Sequence, residues 1–103
     1  MKELTKAAKL KKLLVGTWIN HKSAVEFTVG LDGGKVVVTA LDVKSGEAKR
    51  IQDVTWNGKD LKFISVMPST GFVLRHVFRP SLAHPNSVEN EYTSVANWER
   101  KMI

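Results

Sequence analysis

Val54-Thr55-Trp56-Asn57-Gly58-Lys59-Asp60-Leu61-Lys62-Phe63, residues 54–63, decide how this chain folds. Asn-Gly between two alternating runs is the strongest short-range hairpin signal, because a two-residue type I′ turn needs positive φ at both central positions. On both sides apolar and polar residues alternate with period two, the pattern of a half-buried strand. Working outward, the same design repeats. Leu31-Asp32-Gly33-Gly34, Lys44-Ser45-Gly46-Glu47 and Met67-Pro68-Ser69-Thr70-Gly71 each divide two apolar alternating runs. The spacing predicts strands at about 17–21, 24–31, 35–43, 48–56, 59–67, 71–79, 87–95 and 96–102.

The predicted fold class is therefore all-β: an up-and-down antiparallel meander of seven or eight strands in a single domain, residues 1–103. A meander of this size closes into a small barrel or curls into a half-barrel more readily than it stays flat. Before it, residues 1–15 read as one amphipathic helix. Leu4, Ala7, Ala8, Leu10, Leu14 and Val15 share one arc, opposite Lys2, Lys6, Lys9 and Lys12.

The chain has 103 residues, 43% hydrophobic and 25% charged, the composition of an ordinary globular domain. It carries no Cys, which excludes disulfides, Cys-bearing zinc sites and thiol chemistry and fits a cytoplasmic setting. Leu13-Leu14-Val15 is too short for a signal-peptide core, and no apolar stretch is long enough for a membrane-spanning helix. The net charge of +6 is uneven. The first twelve residues hold five lysines and one glutamate; the other 91 hold 11 basic and 9 acidic residues. A basic helix face is ordinarily solvated, with polyanion or membrane-surface binding as the competing reading. Specific nucleic-acid recognition wants basic groups interleaved with aromatics, and only Trp56 beside Lys59 approaches that.

Turn geometry sets register, and register assigns faces. A two-residue Asn57-Gly58 turn pairs Val54 with Leu61, Gln52 with Phe63 and Arg50 with Ser65. The Ser45-Gly46 turn pairs Leu41 with Arg50. A three-residue loop through Asp32-Gly33-Gly34 brings Val37, Thr39 and Leu41 to the face of Val25, Phe27 and Val29. Beyond the Pro68 turn, Phe63 meets His76 and Ser65 meets Leu74; after the loop with Pro80 and Pro85, His76 meets Asn90 and Leu74 meets Tyr92. Arg75 opposite Glu91, Arg79 diagonal to Glu89 and Asp53 opposite Lys62 form ion pairs on the other face.

This register drives Thr39, Arg50, Gln52, Ser65, His76, Asn90 and Tyr92 inward. Buried polar groups need partners, and either a mutual network or a bound ligand supplies them. A bulge in the fourth strand would instead turn Arg50 outward. The candidate ligand-binding set is Asn20, Phe27, Arg50, Gln52, Phe63, Ser65, His76, Asn90 and Tyr92. An inward Arg50 would select an anionic or carbonyl-bearing ligand. His76 has no carboxylate on its face, and three scattered histidines make no metal site, so the chain reads as non-enzymatic, with no cofactor. On the outer face Val36, Val38, Ala40, Ile51, Ile64, Val66, Val73 and Val77 form an apolar stripe that the helix or a second copy would cover, so a homodimer is expected as readily as a monomer.

Leu14-Val15-Gly16-Thr17-Trp18, after a short helix and before the meander, resembles the G-x-W first strand of the calycin group: lipocalins, fatty-acid-binding proteins and avidins. At the family level the chain looks like a small bacterial lipocalin-like domain. The resemblance implies a barrel floor built on Trp18, with Arg100 stacked on that ring, and an interior that holds a small hydrophobic or amphipathic ligand. Gly16-Thr17-Trp18-Ile19-Asn20 with Ser23 is locally similar to the avidin opening, which implies ligand contacts at Asn20 and Ser23. The expected function is non-enzymatic binding of a small, partly apolar ligand; the alternative is an interaction module with a filled core that dimerises through its outer face.

Overall fold

The computed structural model describes residues 5–96, Trp98 and residues 100–102. One short helix precedes an all-antiparallel meander curled into a half-barrel. The elements are α1 (Lys6–Leu14), β1 (Gly16–Trp18), β2 (Val25–Asp32), β3 (Lys35–Asp42), β4 (Ala48–Trp56), β5 (Leu61–Met67), β6 (Phe72–Pro80) and β7 (Val88–Val95). The strands lie in sequence order, each bonded to the next. Lys2 and Leu4 of the expected helix, and Asn97 and Glu99 of the expected eighth strand, fall outside the described residues. Among the described residues of 96–102 no strand forms.

α1 starts where Thr5 Oγ1 accepts a hydrogen bond from the Ala8 amide at 3.1 Å, satisfying one of the free donors of the first turn. Its Leu10 and Leu14 are buried, and Lys11 and Lys12 face the negative end of the helix dipole. The Trp18 indole N–H then donates to the Leu14 carbonyl at 2.8 Å. The Gly16-Thr17-Trp18 stretch is thus a helix stop: the indole takes up a carbonyl the ending helix leaves free. Gly16, at φ 144°, makes the bend that allows it. Arg100 is exposed, and the polar partner of Trp18 is the helix end.

The turn between β2 and β3 corrects the expected register. Asp32 pairs with Lys35, so Gly33 and Gly34 alone make the connection, at φ 57° and 82°. Two positive φ values define the type I′ hairpin, which follows strand twist better than the longer loop. The one-residue slip reverses β3: Val36, Val38 and Ala40 are buried, while Val37, Thr39 and Leu41 face out. Three residues of the expected outer stripe, Val36, Val38 and Ala40, are therefore core.

β4 inherits that reversal. Ala40 pairs with Lys49 and Leu41 with Ala48, so Lys49 points inward and Arg50 outward. The β4–β5 ladder shifts between Gln52 and Thr55, where Asp53 adopts φ 54°. That bulge restores the inward face to Val54 and Trp56, which pack on the core together with Ile51. The Asn57-Gly58 turn is a four-residue loop: Trp56 pairs with Leu61, and the Asn57 side-chain oxygen accepts from the Lys59 and Asp60 amides at 2.9 and 2.7 Å. Asp53 consequently sits in the bulge, and Lys62 pairs with Thr55.

β5 and β6 pair as the sequence predicts, with Phe63 opposite His76 and Ser65 opposite Leu74. β7 is displaced by two residues, which keeps its faces: His76 meets Tyr92 and Phe78 meets Asn90. Arg79 takes both carboxylates, Glu89 at 3.2 Å and Glu91 at 2.6 Å, whereas Arg75 pairs with Thr93. The core gathers Leu14, Phe27, Val29, Val36, Val38, Ala40, Leu61, Phe63 and Phe78.

A candidate ligand-binding concavity

At the centre of the curled sheet is His76, 2% exposed, in an aromatic surround. Phe63 stacks on its ring with centroids 4.7 Å apart, Phe27 meets it edge-on at 5.0 Å, and Phe78 closes on both phenyl rings. A polar ring can stay there only because both nitrogens are used. Ser65 Oγ lies 2.8 Å from Nε2, and Asn90 Oδ1 lies 3.2 Å from Nδ1. An amide oxygen only accepts, so Nδ1 carries the hydrogen and Nε2 accepts from the Ser65 hydroxyl. The ring is neutral in this arrangement. Burial pushes its pKa below the ordinary imidazole value, the Asn90 bond opposes that, and the charge of Lys49 adds to the push.

In front of this cluster is a concavity of about 460 Å³. Its wall joins apolar Val25, Phe27, Leu74, Phe78 and Val88 to Lys49, His76 and Asn90. Its rim is the β1–β2 loop with Asn20, Lys22 and Ser23, the loop before β7 with Asn86 and Ser87, and exposed Tyr92. The rim loop is self-braced, since Asn20 Oδ1 accepts from the Lys22 amide at 2.8 Å and Ser23 Oγ from the Val25 amide at 3.1 Å.

Of the residues the sequence singled out, Asn20, Phe27, His76, Asn90 and Tyr92 come together on this surface, joined by Ser23. Phe63 and Ser65 are buried behind it, supporting His76. Arg50 and Gln52 are corrected: both are exposed on the convex side, because the β3 flip and the Asp53 bulge turn them out. Thr39 goes with them. Lys49 takes their place. It lines the concavity, is 9% exposed, and belongs to no ion pair among the described residues. Burial pushes its pKa below the usual lysine value, and Asp42 opposes that without making a bridge. Its inward position follows from the Gly33-Gly34 turn, the signal that would have revealed it.

Comparison with protein-family models, curated proteins and solved structures finds no match to this chain.

Proposed function

We propose that the chain binds a small, partly apolar ligand on the concave face of the half-barrel, without covalent chemistry. The observation that carries this reading is the concavity of about 460 Å³, within the roughly 300–1,000 Å³ typical of small-molecule sites, with an apolar stretch of wall set among polar groups. The G-x-W opening and the curled meander support placing the chain among lipocalin-like domains. The Ser65–His76–Asn90 bonds use both ring nitrogens, and among the described residues no buried side-chain nitrogen or oxygen lacks a partner, so the cluster reads as a prebuilt back wall. Preorganisation of that kind lowers the cost of binding.

A second reading rests on the convex face, where Ile64, Val66, Val73 and Val77 remain half-buried on β5 and β6. There the chain is an interaction module, and a second copy is the natural partner. Native mass spectrometry separates the two. Small-molecule mass retained by the wild type and lost in Leu74→Trp, which fills the concavity, supports binding. A ligand-free dimer supports the second reading and counts against the first.

A further inference from the structure

The charges that meet the concavity are all of one sign. Lys49 is in its wall and Lys22 on its rim, and no Asp or Glu lines it among the described residues. Lys49 has no bridging carboxylate among the described residues, and partial burial disfavours its charged form. The carboxylate that acts on it electrostatically is Asp42, on the adjoining strand, and its own charge acts on neutral His76. Neither forms an ion pair with it.

A second donor lines the same concavity. Asn90 lines the same surface, and its side-chain oxygen is occupied by His76 Nδ1–H. What it has left to offer is its amide N–H₂, polarised by the Ser65–His76 bonds behind it. One cation in the wall plus one amide donor suits a singly charged anion; a phosphate dianion would call for more donors. The apolar wall at Phe27, Leu74, Phe78 and Val88 suits the body of such a ligand. Resting on the binding reading above, we infer that the concavity selects amphipathic monocarboxylic acids, with Lys49 as the partner of the carboxylate and Asn90 as its second donor.

The test uses matched acid–amide pairs: 4-phenylbutyrate, indole-3-acetate and octanoate, each against its own neutral primary amide, at pH 7.5 where the acids are ionised. Titration is followed by two-dimensional NMR on the Trp18 indole, the His76 ring and the Asn90 side chain. At least one acid is expected to bind roughly ten- to a hundredfold more tightly than its amide, the range of a charge-assisted contact. Lys49→Met removes that preference and leaves amide binding intact, while Lys49→Arg keeps it. Equal binding of acid and amide overturns the carboxylate inference and leaves the binding site standing. A preference that survives Lys49→Met, or shifts confined to Lys6–Lys12, assigns the acid to the basic helix and also overturns it. If no member of any pair moves the lining resonances, the concavity is not a small-molecule site and both readings fall. Lys49→Met exchanges a partly buried cation without an ion-pair partner among the described residues for an apolar chain of similar length, so its thermal midpoint is expected at or above wild type.

Discussion

The β5–β6 hairpin and the β3–β4 junction are neighbours in one sheet, yet they hold their register by different means. β5 and β6 pair continuously from Leu61 opposite Phe78 to Met67 opposite Phe72, and bulky rings fill the inner face. β3 and β4 share only Ala40–Lys49 and Leu41–Ala48. Beyond those pairs the strands part around a groove of about 250 Å³ between Val36, Val54 and Trp56, rimmed by Lys11 and Lys35. Across the ends of this region Glu47 accepts from the Ser69 amide at 2.8 Å and from its hydroxyl at 2.7 Å, tying the β3–β4 turn to the β5–β6 turn. One hairpin is held by packing, the other by turn chemistry at its ends. The site lies where they meet: His76 comes from the first and Lys49 from the second.

The sharpest way to break the packed side is Phe63→Ala. Phe63 is 2% exposed and touches Phe27, His76 and Phe78. Cavity creation at such a position costs about 3–5 kcal/mol, a large part of the stability of a domain this small. A urea midpoint within experimental error of wild type would show that the ring cluster does not hold this half together.

Smaller and more specific is Ser65→Ala. It leaves His76 Nε2 buried without its donor, which costs about 1–3 kcal/mol. The same group sets a pH dependence. Because folding lowers the His76 pKa, the unfolded chain binds more protons in that range, and stability rises with pH. The contribution is complete above the unfolded value near 6.5 and is lost as pH falls below it. Urea midpoints from pH 8 to 5 should decline on the acid side in the wild type and decline less in His76→Gln. Equal slopes in the two would remove His76 from the pH response.

What could be read beforehand divides along the same line. The meander, the helix, the β5–β6 register and the inward positions of Phe27, Phe63, Ser65, His76 and Asn90 follow from a clear alternation of large apolar and polar residues. β3 offers no such alternation, because Val36-Val37-Val38 is apolar on both faces. Its phase is carried by two glycines, and a one-residue choice at that turn exchanged Lys49 for Arg50. The Asp53 bulge leaves no mark in composition, since aspartate is equally at home in a turn, on a surface or at positive φ.

Asp53 is therefore where the looser side can be probed with the least force. An L-residue at φ 54° costs about 1–2 kcal/mol when its side chain is bulky and much less when it is Asp or Gly. Asp53→Gly should leave the urea midpoint within about 0.5 kcal/mol of wild type, relief in the folded chain being offset by added freedom in the unfolded one. Asp53→Val should cost about 1–2 kcal/mol. The informative result is a Val variant of unchanged stability. It would mean that β4 slides into the regular ladder, bringing Arg50 into the place of Lys49. The cavity would then still present one cation, but on a longer, forked side chain, and acid binding in that variant would no longer respond to Lys49→Met.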